Sequence, residues 1–160
     1  MLPAFVAVLV WGYGTTPYGP NRARRVLTGV AERANVGAAV LTTVAPRLAQ
    51  GVDAVRAHGP LEGYRIMNNE ARIKYLGAAY FTKWLYFVSA TRGTYDSDAA
   101  PILDQQVQKW LWAHRVVNLN VNRTNSYAQY LNLLKEWGER YGRSPVEVEE
   151  AIFALATGRG

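Results

Sequence analysis

The chain has 160 residues, a hydrophobic content of 49% and a formal charge of +6 from 18 basic and 12 acidic side chains. These values fit one globular domain spanning residues 1–160, and they exclude a disordered chain. The absence of cysteine excludes disulfides, thiolate metal sites, iron–sulfur clusters and cysteine catalysis. The two histidines, His58 and His114, match no metal-ligand spacing. The excess of basic residues favours an anionic partner, nucleic acid before others.

The N-terminal segment, residues 1–11, is an apolar run too short to span a bilayer. It has no basic n-region and no well-placed cleavage site, so we expect a buried first helix in a cytoplasmic protein rather than a signal peptide. Residues 11–19 are rich in glycine and proline, which predicts a loop. The loop contains Trp11 and Tyr13.

Pro20 is suited to the first turn of a helix that we expect to extend to about Ala34. Three arginines on it, Arg22, Arg24 and Arg25, form either a phosphate-facing cluster or a solvated face. The remaining pattern is also helical, which predicts an all-α fold. The further helices are expected at residues 36–48 and 52–57, broken by Gly51, and at 60–67, 78–90, 105–114, 126–141 and 144–156.

Two local signals define ends of elements in the second half. Ser144-Pro145-Val146-Glu147 is a capping box with proline at the first helical position. Residues 92–98 are polar and predict a loop, in which we expect Asp96 and Asp98 to be solvated.

Lys83 is the only charged residue between Tyr75 and Thr91, in a helix that is apolar on all sides. An ammonium taken out of water without a partner costs several kcal/mol, and loss of its proton leaves a nucleophilic amine. A structural alternative is that the four-carbon stem of Lys83 carries its charge to the surface. The pattern alone favours neither interpretation.

Asp104 stands where an N-cap is expected, directly before the helix that begins at Gln105. Capping alone would account for this aspartate. A carboxylate at a helix N-terminus is also stabilised in its ionised form, so it could accept a proton from a lysine or stabilise positive charge. Lys83 and Asp104 together therefore form a candidate catalytic pair.

The segment Ile73-Lys-Tyr-Leu-Gly-Ala-Ala-Tyr-Phe-Thr-Lys83, followed by Pro101-Ile-Leu-Asp104, resembles the helix-hairpin-helix DNA glycosylase superfamily. It is most similar to small bacterial proteins with an 8-oxoguanine DNA glycosylase fold. The resemblance implies a helical bundle containing a helix-hairpin-helix, with Lys83 and Asp104 as catalytic residues. It departs from the usual pattern in having one hairpin glycine, Gly77, instead of two.

The resemblance implies that a damaged base is flipped out of double-stranded DNA and that Lys83 attacks C1′ of its sugar. Asp104 would stabilise the oxocarbenium-like transition state, and the resulting Schiff base would permit strand nicking by β-elimination. Arg72, Lys74 and Gly77 are the expected DNA-binding residues, although the two basic side chains could equally be solvated. Trp11 and Tyr13 are candidates for the base pocket, since functional residues are concentrated in loops.

We therefore expect a monomeric DNA glycosylase and AP lyase that acts on an oxidised purine such as 8-oxoguanine, without cofactor, metal or membrane. One alternative is a glycosylase for another modified base. A second is a non-catalytic helical DNA-binding module, which would bind duplex without releasing a base. A third is a helical protein-interaction domain whose basic charge is incidental.

Overall fold

The computed structural model describes residues 1–14 and 18–159, and this part of the chain is helical without any strand. The predicted all-α class is thereby confirmed. The middle of the predicted 11–19 loop, residues 15–17, lies outside the described residues. The described helices are α1 (Leu2–Trp11), α2 (Gly19–Thr28), a 3₁₀ turn (Glu32–Asn35), α3 (Val44–His58), α4 (Pro60–Asn68), α5 (Ala78–Ser89), α6 (Gln105–Ala113), α7 (Thr124–Tyr141) and α8 (Pro145–Thr157).

Helix ends follow local chemistry where a strong capping signal is present. The predicted capping box at the start of α8 is formed: the Ser144 hydroxyl accepts from the Glu147 N–H, and the Glu147 carboxylate accepts from the Ser144 N–H. Helix α2 ends at Thr28, before the expected Ala34, because Gly29 adopts a left-handed conformation with φ of 68°.

The predicted break at Gly51 is wrong, because α3 continues through this residue from Val44 to His58. Glycine inside a helix costs about 1 kcal/mol relative to alanine, which tertiary packing can offset. A Cβ at position 51 would approach Cγ of Met67 to 2.9 Å, so the absence of a side chain lets α3 and α4 lie close together. Residues 36–43, which were expected to be helical, are not.

One hydrophobic core draws buried side chains from all eight α-helices. Helix α5 lies at its centre, with eight of its twelve residues buried, and Phe5, Tyr64 and Trp84 make edge or stacked aromatic contacts around it. The expectation of a buried first helix is correct for one face only, since Phe5 is inaccessible whereas Trp11 is 56% exposed. None of the described helices is long and apolar enough to cross a membrane.

Candidate active site

Lys83 and Asp104 meet in the folded chain, 21 residues apart in sequence. The Lys83 Nζ donates to Oδ2 of Asp104 at 2.5 Å and to the carbonyl oxygen of Ala79 at 3.1 Å. The lysine side chain is only 7% exposed, so it does not carry its charge to the surface. Its charge is instead paired within the protein, in a site where the aspartate retains 20% exposure.

Asp104 is also the N-cap of α6, as the sequence predicts. Its Oδ1 accepts from the Gln106 N–H at 2.9 Å, while Oδ2 binds Lys83. Asp104 therefore caps α6 and contacts Lys83 at the same time, because each interaction uses a different oxygen. This division fixes the carboxylate plane with respect to the amine.

The backbone before Asp104 is held by hydroxyl groups of α5 and α7. Tyr127 and Tyr130 donate to the carbonyl oxygens of Pro101 and Ile102, at 2.7 and 2.9 Å. The Leu103 N–H in turn donates to the Thr82 hydroxyl at 3.1 Å. Since Thr82 and Lys83 are adjacent in α5, this bond sets the carboxylate opposite the amine.

A pocket of about 250 Å³ opens onto the Lys83–Asp104 pair. A pocket of this volume can admit a small molecule or a single base, but not a duplex. The lining side chains are mainly aromatic and aliphatic, with carboxylates from α8. They are Trp11, Lys83, Tyr86, Thr94, Tyr95, Ile102, Asp104, Val146, Glu149, Glu150 and Phe153.

The two aromatic residues expected at the base pocket lie in different places. Trp11 lines the pocket and packs edge-on against Phe87, with ring centroids 5.1 Å apart. Tyr13 is absent from the described lining and stacks on Tyr80, with centroids 4.9 Å apart. The centroid of the Tyr80 ring in turn lies 5.5 Å from the Lys83 Nζ, so one aromatic ring separates Tyr13 from the lysine.

The loop that covers one side of the pocket is tied together by a buried aspartate. Asp96, expected to be solvated, is only 6% exposed. It accepts from the backbone N–H groups of Thr91, Arg92 and Asp98 and from the Arg92 guanidinium. The Arg92 guanidinium bond is the leading cause that holds the pKa of Asp96 well below its usual range. The loop thus presents Tyr95 to the pocket in a fixed shape.

Two features of the site were not found from the sequence. Glu149 is 6% exposed and lines the pocket, and it lies three residues after Val146 and three before Ile152, on the buried face of α8. A charged residue on an apolar helix face, the signal used for Lys83, would have identified it. The other feature is Gly12, where a Cβ would come 2.9 Å from Cδ of Lys83. No local pattern indicates that close approach.

The expected DNA-binding residues line a surface groove at the N-terminus of α5. Arg72, Lys74 and Gly77 lie there together with Arg22 and Arg47, and none of the described lining residues is acidic. The connection is ordered by Arg47, whose Nη1 donates to the carbonyl oxygen of Arg72 at 2.6 Å. We call these five residues the basic groove.

The α4–α5 connection contains one residue in a conformation that glycine usually adopts. Tyr75 adopts a left-handed conformation with φ of 67°, which glycine normally provides. Its ring lies under two cations: the Arg25 Cζ is 4.4 Å and the Lys74 Nζ 4.9 Å from the ring centroid. Cation–π contacts of this kind help to offset the cost of the unusual conformation.

The basic groove and the pocket are neighbours, joined by Tyr80. The Arg22 Cζ and the Lys83 Nζ each lie 5.5 Å from the centroid of the Tyr80 ring. Burial is the leading cause that raises the pKa of Tyr80, so this hydroxyl is neutral at physiological pH. In the part of the chain that the structure describes, no group of three His, Asp or Glu side chains could hold a metal ion.

A buried lysine–aspartate pair that opens onto a pocket offers an amine and a carboxylate to a ligand in that pocket. The chain belongs to the family described as "Putative 8-oxoguanine DNA glycosylase OGG-like protein", whose family model matches residues 1–153. The resemblance deduced from the sequence is confirmed at this level. Family membership supports a DNA glycosylase-like enzyme with DNA as its substrate. No curated protein and no solved structure matches the chain.

Proposed function

We propose that this protein is a lysine-dependent DNA N-glycosylase and AP lyase. It excises an oxidised purine such as 8-oxoguanine from double-stranded DNA. The observation that carries the proposal is the 2.5 Å contact between the Lys83 Nζ and Asp104 Oδ2 at the pocket. The choice of base rests on the family description alone. Metal, cofactor and covalent prosthetic group have no part in the proposed steps.

DNA would reach the site through the basic groove. Arg22, Arg47, Arg72 and Lys74 supply positive charge, and Gly77 exposes the first turn of α5, whose free N–H groups favour anions. Phosphates held there would lie beside Tyr80 and hence beside the pocket. The target nucleotide must leave the base stack, because C1′ cannot be reached within the duplex.

Before the chemical step, the Lys83 ammonium releases its proton to water, so the amine becomes neutral while Asp104 remains a carboxylate beside it. The freed lone pair attacks C1′ as the glycosidic bond breaks, and the electron pair of that bond leaves with the base. Asp104 lies close enough to stabilise the positive charge that develops on the sugar. The resulting amine adduct opens the sugar ring to a Schiff base, from which loss of a C2′ proton expels the 3′ phosphate.

The floor and walls of the pocket would hold the flipped base. Trp11 and Phe153 offer aromatic faces for stacking, which is worth about 1–3 kcal/mol per base in single-strand complexes. Tyr86 donates its hydroxyl proton to the Thr94 carbonyl at 2.8 Å, so its ring forms a fixed wall. Tyr13 would support Tyr80 rather than touch the base.

The proposal is tested by borohydride trapping on two duplexes, one with 8-oxoguanine opposite cytosine and one with an abasic site. We expect the unsubstituted protein to form a covalent adduct with both, and Lys83→Gln to form none while it still binds DNA. Lys109→Gln is the matched control, since this lysine lies on an exposed position of α6.

Each outcome of the trapping experiment has a definite meaning. An adduct that persists in Lys83→Gln would contradict the assigned nucleophile. Trapping on the abasic duplex alone would retain the lyase and exclude 8-oxoguanine as the base. Duplex binding without any adduct would indicate the non-catalytic DNA-binding module.

A further inference from the structure

Glu149 is a pocket residue whose position the lysine–aspartate chemistry does not explain. It lies on the buried face of α8, is 6% exposed and lines the same pocket as Lys83 and Asp104. No hydrogen bond or ion pair joins its carboxyl group to another of the described residues. Its carboxyl oxygens are not sealed from the pocket, so a ligand that enters the pocket can reach them.

The environment of Glu149 keeps its proton in place. Burial raises the pKa of this carboxyl to about 8, with smaller raising contributions from Asp104 and Glu150 and a lowering contribution from Lys83. The acid form therefore predominates at neutral pH and is lost as the pH rises through about 8. Asp104, by contrast, is bonded to the lysine ammonium.

The other ionisable groups around Glu149 are tyrosines that stay neutral in this pH range. Tyr86 on α5, Tyr95 in the covering loop, and Tyr127 and Tyr130 on α7 all have a raised pKa. Burial is the leading cause of the raised pKa for all of them except Tyr95. For Tyr95 the leading cause is the hydrogen bond between its hydroxyl and Glu150. None of them can supply a proton more readily than the Glu149 acid.

We propose that Glu149 is the general acid that protonates the base as it departs, an assignment that rests on the proposed glycosylase function. Of the three carboxyl groups that line the pocket, Asp104 is ion-paired, Glu149 is buried and in its acid form, and Glu150 is exposed. In hydrolysis of glycosidic bonds, such a division assigns one carboxyl to stabilise the sugar and the other to protonate the leaving group.

In the excision step, the C1′–N bond of the nucleotide breaks and its electron pair moves onto the base. The Glu149 O–H proton passes to the basic atom of the base that carries this charge, while the Lys83 lone pair forms the new C1′–N bond. Glu149 is left as a carboxylate and recovers its proton from water after the base has left.

An abasic site has no base to protonate, and this separates Glu149 from Lys83 by experiment. We compare single-turnover base excision and AP-lyase cleavage in the unsubstituted protein, in Glu149→Gln and in Glu139→Gln. Glu139 is a suitable control because its side chain is 70% exposed on α7, away from the pocket. Glutamine keeps the size and polarity of Glu149 but has no acidic proton.

We expect Glu149→Gln to slow excision by about 100-fold or more, the usual contribution of a general acid, and to leave AP-lyase activity within about twofold. The preserved lyase activity would also show that the variant is folded and that Lys83 remains active. Excision that survives in Glu149→Gln would overturn the assignment. Parallel loss of both activities would overturn it too, since a leaving-group acid has no task on an abasic site.

The unsubstituted protein provides a second test that needs no variant. Because excision requires the acid form of Glu149, the excision rate should fall about tenfold per pH unit above about 8. The AP-lyase rate should not fall in this way. Parallel profiles would contradict the role of Glu149. Failure of the proposed function itself would be distinguishable, since the unsubstituted protein would then form no borohydride adduct with the 8-oxoguanine duplex.

Discussion

At the scale of single residues, the candidate site depends on how closely its neighbours approach Lys83. Its ammonium has two oxygen acceptors, from Ala79 and Asp104. Its stem passes Gly12, where a Cβ would lie 2.9 Å from Cδ and 3.3 Å from Cε of the lysine. The stem is flexible, so an added methyl group would move the amine rather than unfold the protein.

Gly12→Ala should therefore lower the rate of excision more than it lowers stability. Gly12 has φ of −64°, which alanine adopts without strain. A displacement of the Nζ by about 1 Å can cost up to about 100-fold in rate, so we expect a loss of tenfold or more. Single-turnover excision and thermal melting measure the two effects. A variant with full activity would show that the lysine has room to move without consequence.

At the scale of secondary-structure elements, α7 acts as a brace for the segment that ends in Asp104. Tyr130 is fully buried and donates its hydroxyl proton to the Ile102 carbonyl oxygen at 2.9 Å. Tyr127 binds the preceding carbonyl in the same way. Two side-chain hydrogen bonds thereby tie this short non-helical segment to α7.

Tyr130→Phe should remove this restraint and leave the Ile102 carbonyl without a partner. An unsatisfied buried acceptor costs about 1–3 kcal/mol, so we expect a decrease of that order in the free energy of unfolding by urea. Excision should decrease as well, because Asp104 follows two residues later. Tyr141→Phe is the matched control, since Tyr141 is 69% exposed. Equal stability of the two variants would contradict the bracing role.

At the scale of the whole molecule, the formal charge of +6 is distributed unevenly. The basic groove gathers Arg22, Arg47, Arg72 and Lys74, whereas the neighbouring pocket carries the carboxyl groups of Asp104, Glu149 and Glu150. The pocket nevertheless has little net charge, because Asp104 is paired with Lys83 and Glu149 is in its acid form, so phosphates would be attracted to the groove instead. This separation suits a duplex that is held on one surface while a single base enters the other.

Substitution of the exposed groove residues should weaken DNA binding by an amount that depends on salt. Each phosphate contact contributes about 0.9 to the slope of log affinity against log salt, so Arg72→Gln or Lys74→Gln should each reduce the slope by about 1. The loss should be the same for every DNA sequence. Lys135→Gln is the control, because this lysine is 70% exposed on α7. An unchanged slope in both groove variants would exclude them from the DNA interface.

Features that depend on neighbours a few residues apart follow from the amino-acid sequence. The all-α class, the Ser144 capping box and the Asp104 cap arise from helical periodicity and from side chains that bond to nearby backbone groups. The isolation of Lys83 in an apolar helix was also visible, because burial of that helix follows from its composition. These interactions are local, so they have nearly the same outcome in any fold.

The contacts between distant segments depend on tertiary packing. Met67 packs against α3 where a side chain at Gly51 would lie, a contact that the sequence does not indicate. The burial of Asp96 depends on the closure of a loop that composition alone predicts to be solvated. The pairing of Lys83 with Asp104, and the presence of Glu149 beside them, require α5, α6 and α8 to pack together. Such contacts arise from the shape of the whole core, which no short segment of the sequence specifies.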